Sequence, residues 1–313
     1  MQTIESRAKD PTHAVFGKTP EGETLDIPLS EGPHWLICGE TNSGKSVFAN
    51  AILISLMCHN HPDQLKLTWI DPKRVEAGAY VGLPFCPIDP VTDMNDAYGL
   101  IQYYVYEMER RYALLEKAGK KKLLDYNAWI DANPDKAADG GHVKLPYMIC
   151  VIDEYADMTM QDKDREVEQG IIRLGQKARA AGIHLMIMTQ RPSVQVISPL
   201  LKANVPGRVC LKVADSTNSG IVIDQPGGEK LRGYGDGLVK WGSHLERVQG
   251  AFITDDEIAA IFANLRESYG KPEPLDYKQI VVDEGLCEWA DEYDESVPMK
   301  DRHVKQISRR RIR

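Results

Sequence analysis

Gly39 and Gly44 bracket four residues, Glu40, Thr41, Asn42 and Ser43, and Lys45-Ser46 closes the run. That spacing is the pattern of a loop that cradles phosphate. Glycine lets the backbone turn sharply and approach an anion, while successive N–H groups and a following helix N-terminus present partial positive charge. Lys45 can reach the terminal phosphates, and the Ser46 hydroxyl can ligate Mg2+. With average residue frequencies the four fixed positions would coincide by chance in about one chain of this length in a hundred. A nucleotide site is therefore expected over residues 39–46.

Binding alone is not turnover. Hydrolysis needs a carboxylate that orients or activates water, and the apolar run Tyr147-Met148-Ile149-Cys150-Val151-Ile152 leads straight into Asp153-Glu154. Asp153 is expected to hold Mg2+, through water, and Glu154 to polarise the attacking water. The plainer reading of Glu154 is a surface acid at a strand end; the loop upstream and the apolar run before it weigh against that. Gln190, after a second apolar run, is placed to hydrogen-bond the γ-phosphate or the water. Cys58-His59-Asn60-His61 holds metal-ligand residue types, but no second cluster completes four ligands, so a helix end is expected there. No Gly-x-Ser-x-Gly elbow is present.

These groups need strands to carry them. Trp35 to Cys38 is a short apolar run before the loop, and Val47, Phe48, Ala51, Ile52, Ile54, Leu56 and Met57 give an apolar helix after it. Residues 65–70, 147–152, 183–188, 208–213 and 247–253 read as strands, and residues 11–32 as a small hairpin. Residues 93–118 space their apolar positions as one long amphipathic helix, residues 162–181 read as another, and residues 133–145 as an exposed loop. Thr254-Asp255-Asp256-Glu257 has the capping-box pattern and should open a helix to about Arg266. Alternating strands and helices with phosphate chemistry at a strand end predict an α/β fold with a mostly parallel β-sheet flanked by helices. Three regions are expected: a lead-in over 1–33, a large α/β core over 34–270, and a linker with a charged tail over 271–313.

The whole chain sets bounds. It has 313 residues, 42% hydrophobic and 27% charged, with six scattered cysteines that suit reduced thiols. No apolar run reaches the length of a membrane span and the first ten residues are polar, so no membrane insertion and a cytoplasmic location are expected. A net charge of −8 argues against coating nucleic acid by bulk attraction, yet a local basic surface can still grip phosphates within a Debye length of about 8–10 Å. The lysines 117, 120, 121 and 122 form one such cluster, read either as a solvated helix end or as a polyanion contact.

The order of several motifs resembles the motor domain of the FtsK/SpoIIIE double-stranded DNA translocases. They are Gly39 to Ser46, Ile70-Asp71-Pro72-Lys73, Glu107-Met108-Glu109-Arg110-Arg111-Tyr112, Val151 to Asp157, Thr189-Gln190-Arg191-Pro192, Lys202-Ala203-Asn204-Val205-Pro206, Asp224-Gln225-Pro226-Gly227-Gly228-Glu229-Lys230-Leu231 and Arg247-Val248-Gln249-Gly250-Ala251-Phe252. The likeness runs over about residues 14–266. It implies a RecA-like P-loop NTPase that uses ATP and Mg2+ and assembles as a homo-oligomeric ring, a hexamer, around double-stranded DNA. Lys45, Ser46, Asp153, Glu154 and Gln190 match the family's nucleotide residues. Glu229-Lys230-Leu231-Arg232-Gly233 matches a loop facing the DNA channel, which makes Lys230 and Arg232 the expected phosphate contacts.

Two positions depart from the family pattern. Ser219-Gly220 stands where Ser-Arg is common, and Tyr234 where a basic residue is common. If the family arginine acts across a subunit boundary, Arg191, Arg208 or Arg110 must replace it here. Two other readings keep the fold: a coupling or secretion ATPase acting on a protein, or protein-bound DNA, with the charged tail as its docking segment, and an ATP-binding scaffold that cannot turn over.

Overall fold

The computed structural model describes residues 10–162, 165–289 and 304–305. Among them, nine strands form one sheet in the spatial order β2 (Thr24–Pro28), β1 (His13–Lys18), β9 (His244–Gln249), β8 (Asp236–Trp241), β7 (Gly207–Leu211), β3 (Trp35–Cys38), β6 (Ile183–Thr189), β5 (Tyr147–Ile152), β4 (Leu65–Ile70). The five from β7 to β4 run parallel, and the remaining four continue the sheet antiparallel. Composition explains the division. Every residue of β3, β5 and β6 is buried, as expected for parallel strands covered on both faces, whereas β9 buries only Val248.

Side-chain alternation splits these apolar runs between two cores. Leu36, Cys38, Cys150 and Ile152 point to one face, packed under α2 (Met94–Lys117) and α6 (Glu166–Lys177). Trp35, Ile37, Ile149 and Val151 point to the other, under α1 (Lys45–His59) and α9 (Asp255–Tyr269). Asp93 caps α2 by accepting from the backbone N–H groups of Asn95 and Asp96, and Thr254 with Glu257 forms the full capping box of α9. All six cysteines are free thiols.

Several elements differ from expectation. The segment 133–145 contains a short helix, α4 (Pro134–Asp139), because proline fits the first helical position, where no N–H is required. Before it lies α3 (Leu123–Ala132), which anchors Leu123 and Tyr126 in the second core. The helix expected over 162–181 is shorter, α6 alone, and α5 (Tyr155–Gln161) precedes it; Asp162 accepts from the N–H groups of Glu166 and Glu168 at its start. The segment after Gly270, expected as a linker outside the core, holds α10 (Tyr277–Asp283), which lays Tyr277 and Val281 into the first core. Lys278 Nζ lies 2.9 Å from Asp96 Oδ2 on α2. The charged run beyond residue 289 lies outside the described residues, save that Glu288–Trp289 pairs antiparallel with Val304–Lys305. No helix among the described residues is long and apolar enough to cross a membrane.

Candidate functional site

The loop 39–44 leaves the buried end of β3 and closes on the first turn of α1. Gly44 takes φ +91°, and a Cβ there would sit 2.5 Å from the Gly235 nitrogen, so this position needs glycine for both dihedral and space. Ser43 is fully buried, and its Oγ has no hydrogen-bond partner among the described residues. A loop with turned-in backbone at a helix N-terminus is an anion cradle by construction.

The expected nucleotide residues converge. Lys45, Asp153 and Glu154 are 5%, 5% and 2% exposed, an unusual density of buried charge that only mutual pairing makes tolerable. Lys45 Nζ donates to the Asp153 carbonyl at 3.0 Å and lies 3.6 Å from Asp153 Oδ1 and 3.9 Å from Glu154 Oε2. Glu154 Oε1 accepts from Thr189 Oγ1 at 2.6 Å, and the Gln190 N–H reaches both carboxylate oxygens at 3.2 Å. Thr41 Oγ1 donates to Gln190 Oε1 at 3.2 Å, so Gln190 bridges the phosphate loop and the acid.

Burial raises the Asp153 carboxyl above its ordinary value; Lys45 opposes that, and Asp71, Glu76 and Glu154 add to it. Asp153 Oδ1 is also buried without a hydrogen-bond partner among the described residues. An oxygen in that state suits a divalent cation. With the half-buried Ser46 at the start of α1, it fits Mg2+, which takes one or two protein oxygens and fills its shell with phosphates and water. Among the described residues no cluster of three or more His, Cys, Asp or Glu could hold a metal by itself. The Cys58 to His61 run is a helix end, where Asn60 Nδ2 donates to the carbonyls of Leu56 and Pro11.

Two members of the site were not anticipated. Thr189 anchors Glu154. Lys73 Nζ lies 3.4 Å from both Glu154 Oε2 and Asp157 Oδ2. Burial works against the Lys73 charge, but Glu154 and Asp157 outweigh it and raise its pKa. Both stand in family-like motifs after strands, Ile70-Asp71-Pro72-Lys73 and Thr189-Gln190-Arg191-Pro192, and polar residues at strand ends of an open α/β sheet face the ligand crevice.

Lys230 and Arg232 are not members of this cluster; they stand on the segment leading into β8. They alternate with the buried Leu231 and Gly233, so that Lys230, Arg232 and the 82% exposed Tyr234 share the solvent side. Neither basic head group makes a hydrogen bond or ion pair among the described residues. Asp236 steadies the segment, accepting from the Arg232 N–H at 2.9 Å and from Arg247 at 2.9 and 2.7 Å. Of the three candidate trans arginines, Arg110 is held by Glu107 at 2.6 and 2.9 Å, and Arg208 is tied to Asp224 and to the carbonyls of Val205, Val222 and Lys202. Arg191 is exposed, with its guanidinium unbonded among the described residues. The space above Gly220 is open.

Residues 3–194 match the FtsK/SpoIIIE family. A DNA translocase FtsK of Vibrio vulnificus is 40% identical over 291 residues, covering 86% of this chain and 29% of its own length. One from Streptococcus pneumoniae is 40% identical over 285 residues, 90% of this chain and 37% of that protein. The chain thus spans about a third of the length of these curated relatives. Among solved structures, the pCW3 conjugation coupling protein TcpA, in its monomer form with ATPγS, superposes with a TM-score of 0.69 at 30% identity, over 82% of this chain and 71% of that one. The cytoplasmic domain of the Thermomonospora curvata type VII secretion ATPase EccC shares the fold, with a TM-score of 0.71 at 20% identity over 91% of this chain and 33% of that one.

Proposed function

The chain belongs to the FtsK/SpoIIIE family, and from that premise we propose that it is an ATP-hydrolysing motor that moves double-stranded DNA through a ring of its own copies, six in number, in the cytoplasm. The observation that carries the reading is the convergence of Lys45, Asp153, Glu154 and Gln190 at the end of the parallel sheet, beside a segment that presents Lys230 and Arg232 to solvent.

Each side chain has work that its position suits. Residues 39–44 would surround the phosphates with backbone N–H groups, and Lys45, which lies against the two acids, would reach the terminal phosphates. Mg2+, held by Ser46 and Asp153, would supply charge neutralisation between the phosphates. Glu154 would orient the attacking water and take up its proton, and Gln190 would sense the γ-phosphate from a position already bonded to Glu154. Thr189, the Gln190 N–H and Lys73 hold the Glu154 carboxylate in place for that role. Arg191, the candidate without a partner among the described residues, is the cation we assign to a neighbour's nucleotide. Lys230 and Arg232 would hold the phosphate backbone as point charges, reading no base edge, as a sequence-independent motor requires.

The test is ATP turnover on linear duplex. Stimulation by duplex that grows with its length, and is lost in Lys45→Ala, supports the proposal; unstimulated turnover with no duplex binding at low salt opposes it. The 30% identity with a conjugation coupling protein favours a second reading, a coupling ATPase acting on a protein or protein-bound DNA. That reading predicts a specific protein partner for residues 283–313 and no displacement of a third strand from duplex DNA.

A further inference from the structure

The basic segment and the phosphate loop are joined backbone to backbone. Gly233, Tyr234 and Gly235 all take positive φ, at +87°, +54° and +87°. This conformation brings the Tyr234 N–H to the Asn42 carbonyl at 3.4 Å and the Gly235 N–H to the Ser43 carbonyl at 2.8 Å. A tyrosine rarely adopts such a dihedral unless its surroundings hold it there. On the other side of the turn, Gln249 Nε2 donates to the Tyr234 carbonyl at 2.8 Å and to the Gly250 carbonyl at 3.3 Å, and the Gly250 N–H donates to the Gly235 carbonyl at 2.8 Å. Gly250 in turn lies against Phe48 on α1, close enough that a Cβ would sit 2.4 Å from its ring.

The peptide plane makes this contact consequential. The carbonyl of Asn42 shares a rigid plane with the N–H of Ser43, and the carbonyl of Ser43 with the N–H of Gly44. The Ser43 N–H donates to the Glu40 carbonyl at 3.0 Å, so when that bond yields to a phosphate, or the Gly44 N–H tilts toward one, the two carbonyls that hold the turn must tilt with them. Lys230 and Arg232 stand a few residues before the turn on the same short run of chain.

We propose that Gln249 is a positioning residue that braces the turn 233–235 against the phosphate loop, so that the nucleotide state of Asn42 and Ser43 sets where Lys230 and Arg232 stand. This rests on the reading of the chain as a DNA motor. It adds the transmission element between the two sites within one subunit.

The test is hydrogen exchange of the backbone amides of the full chain, with and without ATPγS and without DNA. ATPγS should change the protection of the Tyr234 and Gly235 amides by about tenfold, in step with the loop amides. Gln249→Met, which keeps the volume and removes the donor, should uncouple that response. It should keep duplex affinity and DNA-independent turnover within about twofold and lower the duplex-stimulated turnover about tenfold. Loop amides that respond while Tyr234 and Gly235 stay unmoved would overturn the proposal, as would a Gln249→Met variant in which binding, basal turnover and stimulated turnover fall together or none changes. Loop amides that ignore ATPγS would overturn the nucleotide reading itself, and this proposal with it. The wild-type exchange measurement stands even if the variant fails to fold.

Discussion

Glu154→Gln separates chemistry from architecture most cleanly. The carboxylate accepts from Thr189 Oγ1 at 2.6 Å and from the Gln190 N–H at 3.2 Å, and faces Lys73 Nζ at 3.4 Å and Lys45 Nζ at 3.9 Å. A glutamine of the same shape can keep an amide oxygen accepting from Thr189 Oγ1 and from the Gln190 N–H. What disappears is charge assistance, the difference between a hydrogen bond to an ion and a neutral one, about 1 kcal/mol. Part of that returns as relief for Asp153, which Glu154 repels. In a chain of this size about 1 kcal/mol moves the melting temperature by only ~2–4 °C. Loss of the water-orienting base is far larger, about 10²–10⁴-fold in turnover, or ~3–5 kcal/mol of barrier. The assays are steady-state ATPase on linear duplex, ATPγS binding and thermal melting of the same preparation. We expect collapsed turnover with retained nucleotide and DNA binding and a nearly unchanged melt. Turnover within about threefold of wild type would refute the role of Glu154.

Removing Lys230 or Arg232 should weaken duplex binding equally on any sequence, and each phosphate left without its cation should reduce the log–log salt slope by about 0.9; a variant with unchanged slope removes that residue from the interface. Arg191→Ala should lower turnover only through neighbours, so rings mixing Arg191→Ala with Lys45→Ala subunits should regain partial activity, and mixtures as inactive as either variant alone would contradict the trans assignment. Tyr277→Ala should cost about 3–5 kcal/mol in denaturant unfolding, since Tyr277 is 4% exposed and packs into the first core; a negligible cost would show α10 to be a detachable appendage. Asp224 and Asp236 sit below the usual carboxylate range, because burial is outweighed by Lys202, Lys240 and Arg208 at the first and by Arg247 and the Arg232 N–H at the second. Their stabilisation is complete above the unfolded carboxylate value of about 3.9 and is lost as pH falls through their lowered values, so Asp224→Asn should flatten the acid limb of melting temperature against pH.

Much of the site was legible because its chemistry fixes spacing along the chain. Gly39, Gly44, Lys45 and Ser46 are local in sequence, and the apolar run before Asp153 announces a buried strand whose end must be polar. The long helix α2 and the capping box at Thr254 were equally local signals. What could not be read depends on distance. Lys73 meets Glu154 across 81 positions, and Thr189 meets it across 35. The contact of Tyr234 and Gly235 with the phosphate loop is made by backbone atoms, which side-chain patterns do not report. Helix α10 was hidden by composition: Pro272, Pro274 and the acids around it mask an apolar face of only Tyr277, Ile280 and Val281. Strand β8 was missed because its glycine and lysine break the alternation that its pairing with β7 and β9 restores.

The central claim is that nucleotide cleavage at Lys45 and Glu154 drives the segment holding Lys230 and Arg232 along duplex DNA. Displacement of a third strand from a linear duplex measures that movement directly. The account predicts ATP-dependent release, with a lag that lengthens with the distance between the free end and the triplex, and none in Lys45→Ala. ATP hydrolysed on the same duplex with the third strand left in place would contradict it.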